Sequence, residues 1–192
     1  MARTKKFDPQ QALAAAMHAF WRLGYENASL DVLMTEMGIA RQSLYDTFGD
    51  KRALYLKALA YYRDESHVSM RKLFNSAPTV RDGFAQLLFG LSAESRAQHA
   101  RGCLLLSANM EREAGDVVIG DFLRRNQATV ESIFREALQR AQSSGELSSK
   151  KDPAALARFF VVTIQGMRAT ARLKSDRRAL EEVARVALAV FD

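Results

Sequence analysis

Arg41, Gln42, Ser43, Tyr45 and Thr47 fall inside the run RQSLYDTF, and their side chains offer hydrogen-bonding chemistry rather than bond-making chemistry. Arginine can grip guanine O6 and N7 with two parallel donors, and glutamine can pair with adenine N6 and N7. Serine, threonine and tyrosine hydroxyls suit phosphate oxygens, and tyrosine can also meet a thymine methyl. Arg41 and Gln42 are therefore candidate base readers, with Ser43, Tyr45 and Thr47 beside them. Lys51 and the backbone near Ser29 are candidates to hold flanking phosphates. The plain alternative is a solvated helix face with no partner.

Such a set can read bases only if a helix presents it on one side. A helix of eight residues is only about 12 Å long and has no stability of its own. Leu44 and Phe48 must anchor it, leaving the polar residues outward. Upstream, Ser29 is placed to cap a helix with Val32, Leu33 and Met37 inward, Gly38 permits a tight turn, and Ile39 plugs it. Residues 29–48 thus take the form of a helix-turn-helix, two short helices of which the second enters a DNA major groove. Asp8-Pro9 starts a preceding helix with Leu13, Ala16, Met17 and Phe20 on one face, and Gly24 reads as its left-handed cap. Asp50 can cap a fourth, longer helix running through Leu54, Leu59 and Tyr62 toward Leu73.

The remaining chain repeats the same punctuation. Thr79 and Asp82 form a capping pattern, Gly102 introduces CLLLSANMERE, and a long helix is expected from about Val117 to Gln142. Asp152-Pro153 opens a strongly apolar helix, and a last one starts near Asp176. Only three prolines and ten glycines occur, and no alternating strand pattern stands out. The expected fold is all-α, with about nine helices. A DNA-binding head over residues 1–55 would sit beside a helical ligand-binding and dimerisation body over 56–192.

The net charge of +6, with a pI near 9.7, is compatible with a polyanionic partner. The basic residues are nevertheless spread, from Arg3, Lys5 and Lys6 to Arg124-Arg125 and Arg177-Arg178. One cysteine, Cys103, excludes an intrachain disulfide framework. No apolar run is long enough to span a bilayer, so a cytoplasmic protein with no membrane role is expected. Enzyme chemistry finds little support. His18, His67 and His99 lack metal-ligand spacing, no phosphate-cradling glycine loop follows a strand, and neither metal nor cofactor is expected. Trp21, adjacent to the first helix's core stripe, reads as packing.

Across the first sixty or so residues the chain resembles the TetR/AcrR family of transcriptional regulators. The resemblance is carried by Ala16, Phe20, Gly24-Tyr25, Ser29-Leu30, Met37-Gly38-Ile39, Leu44-Tyr45, Phe48, Asp50-Lys51 and Leu54. Two positions depart from the family pattern. Ala40 opens the third helix where a serine cap is common, and Asp46 stands where histidine is common.

The resemblance implies a homodimer on double-stranded DNA, most simply a repressor released from a palindrome by a small inducer. Half-site centres would lie about 34 Å apart or a multiple of it. Phe159, Phe160, Ile164 and Met167 with Leu180, Val183, Val190 and Phe191 supply apolar surface that is divided between core and dimer contact. Phe74, Phe84, Leu87, Leu88, Phe89, Leu104, Leu105, Met110, Phe122 and Phe134 are enough to line an apolar cavity, or simply to form a core. Cys103, after Gly102 at a helix start and beside Arg101, could be an activated thiol. It could equally be a small buried hydrophobe. Electrophile-responsive members of the family look similar here, and by that resemblance Lys174 would be its companion in sensing. The competing reading is a helical small-molecule-binding protein without operator affinity.

Overall fold

The computed structural model describes residues 7–192, so Arg3, Lys5 and Lys6 lie outside the described residues. Among these residues the fold is all-helical. Residues up to Ser66 together with Cys103–Gly120 make one compact unit, and His67–Gly102 with Asp121–Asp192 make another.

In the first unit, α1 (Pro9–Asn27) starts where Asp8 Oδ1 accepts from the Gln10 amide at 2.8 Å. It buries Ala12, Ala16, Met17, Ala19 and Phe20, while Leu13 is only half-buried. Gly24 breaks the helix with φ +77° and ψ 172°. Its φ is positive, as a left-handed cap needs, but its ψ is extended, and a short turn continues to Asn27. α2 (Leu30–Met37) is capped by Ser29 Oγ, which accepts from the Val32 amide at 3.3 Å. Gly38 closes it in the left-handed region (φ +64°, ψ 32°). Its amide donates to Thr35 O at 3.2 Å and the Ile39 amide to Met34 O at 3.1 Å, the paired bonds of a Schellman ending. α3 (Arg41–Phe48) follows, and Asp50 Oδ1 then caps α4 (Lys51–Ser76) through the Ala53 amide at 2.7 Å.

Phe20, Leu33, Leu54 and Leu59 are fully buried in this unit. Tyr55 packs its ring 4.9 Å from Phe20 and 4.8 Å from Tyr25. Trp21, assigned to packing from the sequence, is half-buried with its ring edge-on to Tyr62 at 4.9 Å. The later segment is bonded into the same unit. The Tyr25 amide donates to Glu111 Oε2 at 3.5 Å, and Arg52 Nη2 donates to Asp116 Oδ1 at 2.8 Å. That segment holds α7 (Leu104–Glu111) and the start of α8 (Val117–Ser143).

The second unit contains the C-terminal part of α4, then α5 (Val80–Ser92), α6 (Arg96–Arg101), most of α8, α9 (Pro153–Leu173) and α10 (Arg177–Leu188). A single 3-10 turn follows at Ala189–Phe191. The short α6 is the element added to the expected set. Ser95 and Gln98 start it as a reciprocal capping box. Asp152 and Asp176 cap α9 and α10 through the Ala154 and Ala179 amides.

The body core is aromatic. Phe84 stacks on Phe160 with centroids 3.8 Å apart, and lies 5.2 Å from Phe134 and 4.7 Å from Phe74. These rings fill their space against one another, so Phe84 and Phe134 serve as core rather than cavity wall. Met110, grouped with them from the sequence, is 77% exposed and lines no apolar interior. His99 is buried with both ring nitrogens bonded. Nε2 donates to Leu91 O at 2.9 Å, and Nδ1 accepts from Ser175 Oγ at 2.7 Å. It thereby joins α6 to the end of α5 and to the α9–α10 loop.

Candidate nucleic-acid interface

α3 is two-sided. Leu44 and Phe48 are 1% and 4% exposed, whereas Arg41, Gln42 and Tyr45 are exposed to solvent and Ser43 and Thr47 are half-buried. The i, i+4 spacing of the two anchors forces this division, because it puts both on one stripe of the helix. Leu33, Met37 and Ile39 are buried from the α2 side, and Val32, expected inward, is half-buried. The structure therefore gathers Arg41, Gln42, Ser43, Tyr45 and Thr47 on one short helix. Ser29 is exposed at the start of the neighbouring one.

The candidate readers are engaged with carboxylates. Arg41 Nη2 donates to Asp31 Oδ1 of α2 at 3.2 Å, and Gln42 Nε2 donates to Asp46 Oδ1 one turn along at 2.8 Å. Lys51 lies with its ammonium 4.6 Å from the centre of the Tyr25 ring and donates to Glu26 O at 3.3 Å. That uses one of its three N–H donors. α3 begins at Ala40 without a side-chain cap. Its far end is held by a residue that sequence reasoning missed: Lys57 of α4 donates to Phe48 O at 3.0 Å and Thr47 O at 3.4 Å. A cation on the last carbonyls of a helix satisfies orphan acceptors and complements the helix dipole. No local motif announces it, since Lys57 reaches back nine residues through the Gly49 turn.

Residues 12–58 match the family described as bacterial regulatory proteins, tetR family, and residues 86–187 match the tetracyclin repressor-like C-terminal domain. The second match alone covers more than half of the chain. The chain belongs to the TetR family of transcriptional regulators. It is 30% identical, over the full length of both chains, to YezE of Bacillus subtilis, described as an uncharacterized HTH-type transcriptional regulator. It is 28% identical to ComR of Escherichia coli, described as an HTH-type transcriptional repressor, over 98% of this chain and 91% of that one. Among solved structures it is similar to a cysteine-substituted variant of the TetR-family regulator CifR in complex with a 26-base-pair operator duplex. There the identity is 32%, both chains are covered completely, and the TM-score is 0.86.

The family is one of helix-turn-helix regulators and not of enzymes. No helix among the described residues is long and apolar enough to cross a membrane. Within this TetR-family chain, Cys103 is the N-cap residue of α7 and half-buried, and it belongs to the first compact unit. Lys174 ends α9 in the second unit, exposed, with its ammonium 3.2 Å from Asp176 Oδ2.

The second unit also resolves apolar residues of its C-terminal elements into three sets. Phe160, Met167 and Leu180 are buried in the core, so these three drop out of the residues considered for a dimer contact. Ile164, Val190 and Phe191 are partly buried against that core. Phe159, Val162 and Leu173 of α9 and Val183 and Val186 of α10 remain exposed. Phe159 and Val162 stand three apart with Leu173 eleven beyond, and Val183 and Val186 stand three apart, so each helix carries one outward stripe.

Proposed function

We propose that this chain is a homodimeric repressor that reads a palindromic operator and is released by a small, mostly apolar or electrophilic ligand. Residues 1–55 act as the reading head and residues 56–192 as the ligand-binding and dimerisation body. Arg41 and Gln42 read base edges, Ser43, Tyr45 and Thr47 make the neighbouring contacts, and Ser29 and Lys51 hold flanking phosphates. The observation that carries this reading is the two-sided α3, with its apolar anchors 1% and 4% exposed beneath an outward row of donors. The operator complex of CifR supports it by likeness. The exposed stripes of α9 and α10 support pairing with a second copy, since adjoining apolar helix faces of this kind are commonly covered by a partner.

A pool of random duplexes enriched on the full-length wild type supplies the operator probe. Arg41→Ala should then cost about 1–3 kcal/mol on the enriched duplex and less on a scrambled one. Equal loss on both makes Arg41 a phosphate contact. No enrichment at all would leave the helical small-molecule-binding reading.

Cys103, with Lys174 as companion by family likeness, is the residue proposed for an electrophilic signal. Mass spectrometry after mild electrophile treatment, paired with a DNA-release assay, tests it. A Cys103→Ser variant that releases DNA as the wild type does would remove this thiol from the mechanism.

A further inference from the structure

Residues 29–48 carry one basic residue, Arg41, against Asp31, Glu36 and Asp46, inside a chain whose net charge is +6. A surface meant to approach phosphates is thus locally acidic. Glu36 is accounted for by the fold, since Arg22 of α1 bonds to it at 2.5 Å. Asp31 and Asp46 are not, because each carboxylate is exposed and accepts from a candidate reader, Asp31 from Arg41 and Asp46 from Gln42. An exposed pair of this kind adds little to folding stability. Asp31 also lies in the first turn of α2, where a carboxylate modestly favours the helix dipole, but that role calls for no bond to Arg41. Asp46, in the second half of α3, has no such role.

We propose that Asp31 and Asp46 are positioning residues that hold Arg41 and Gln42 toward base edges and away from phosphates, and so set sequence specificity. The inference rests on the reading of Arg41 and Gln42 as the base-contacting residues. A guanidinium has five N–H donors in a planar fork. The 3.2 Å bond from Nη2 to Asp31 occupies part of that fork and leaves donors for guanine O6 and N7. Without the tether, a flexible arginine meets the nearest phosphate, which attracts it on every sequence alike.

Gln42 presents a second version of the same problem. Its amide can turn end for end, and only one orientation pairs with adenine. The 2.8 Å bond from Nε2 to Asp46 Oδ1 fixes the amide nitrogen on the Asp46 side. It leaves Oε1 and the second N–H for adenine N6 and N7. Both carboxylates also repel phosphate, which weakens binding wherever base contacts do not compensate.

The test uses the full-length protein as wild type, Arg41→Ala, Asp31→Ala, Asp31→Asn, Asp46→Ala and Asp46→Asn. Each variant is used to select from a random duplex pool. Each is then titrated, across a salt series, on the wild-type-enriched duplex and on its scrambled counterpart. Asp31→Ala should lose a guanine preference in each half-site and bind the enriched duplex roughly 3–10-fold more weakly. It should bind the scrambled duplex more tightly, with log K falling by about 0.9 more per decade of salt for each Arg41 that takes a phosphate, about 1.8 for the dimer. Asp46→Ala should lose an adenine preference instead. The two asparagine variants keep an acceptor oxygen and should retain much of the base preference. Loss of equal size on both duplexes would reveal a structural role and overturn the inference, as would enrichment of the wild-type sequences by both alanine variants. If Arg41→Ala loses the guanine while Asp31→Ala does not, only the tether fails. If Arg41→Ala enriches the wild-type sequences, the assignment of Arg41 as a reader fails with it.

Discussion

Truncating Leu44 to alanine tests how α3 is held. The side chain is 1% exposed, and burying a leucine contributes about 1.5–3 kcal/mol. With the cavity left behind, Leu→Ala in a packed core costs about 2–5 kcal/mol. α3 has only one other buried anchor, Phe48, plus the Lys57 bonds to Phe48 O and Thr47 O and the exposed Arg41–Asp31 pair. Exposed pairs contribute at most about 1 kcal/mol, so little remains to keep the helix docked. If about 3 kcal/mol falls on docking, the binding-competent fraction and the operator affinity drop by on the order of a hundredfold. The control is Leu88→Ala, a fully buried leucine of the body core, which should lower the melting temperature but shift affinity per folded protein by less than about threefold. Anisotropy titration on the enriched duplex reads affinity, and hydrogen exchange at amides 41–49 reads docking. The reasoning is refuted if Leu44→Ala melts lower while those amides keep wild-type protection and DNA affinity is unchanged. Equal DNA loss in Leu88→Ala would refute it too.

Other outcomes follow from single features. Gly38→Ala should destabilise by about 1–2 kcal/mol from its left-handed backbone alone, because a Cβ there would meet nothing within 4 Å. Gly38→Asn should cost less, and thermal unfolding compares the two. Val162→Glu places a charge on an exposed part of the α9 stripe; sedimentation should find folded single protomers with operator affinity reduced at least about tenfold, and an intact dimer would move the interface elsewhere. The Asp116 carboxyl is held below its usual range by the Arg52 bond and the Ile119 amide, and Ser132 and Arg177 do the same for Glu136 and Glu181. In each case the unfolded chain binds protons first as pH falls, so melting temperature should drop below about pH 4, less steeply in Asp116→Asn. Burial raises the Tyr55 phenol well above its usual value; the unfolded chain then ionises first, stability should fall above about pH 10, and Tyr55→Phe should lessen that fall.

What could be read from the sequence was local. Asp8-Pro9, Ser29, Asp50 and Asp152-Pro153 act within a few residues of themselves, and their caps lie where expected. Leu44 and Phe48 were legible because i, i+4 spacing fixes their direction. α6 had a readable signal, since Ser95 and Gln98 spell a capping box, but its six residues are too short for an apolar period. Long-range pairings left no trace. Nothing near Arg41 names Asp31 as its partner, and nothing near Phe48 names Lys57. Phe159 and Phe160 show the same limit at closer quarters: adjacent and identical, they point to opposite environments because a helix turns about 100° between them.

The bonds that Glu111 accepts from the Tyr25 amide and Asp116 from Arg52 have a consequence for anyone building hybrid regulators. Exchanging heads between relatives by cutting within α4 treats the reading module as one continuous stretch of chain. Here its fold draws on Cys103–Gly120 as well, so a graft that carries only the N-terminal residues would meet a foreign α7. The Glu111 and Asp116 acceptors would then have to be supplied by the recipient. A workable exchange moves two separated segments together, so that the Glu111, Arg52 and Asp116 side chains and the Tyr25 amide still meet.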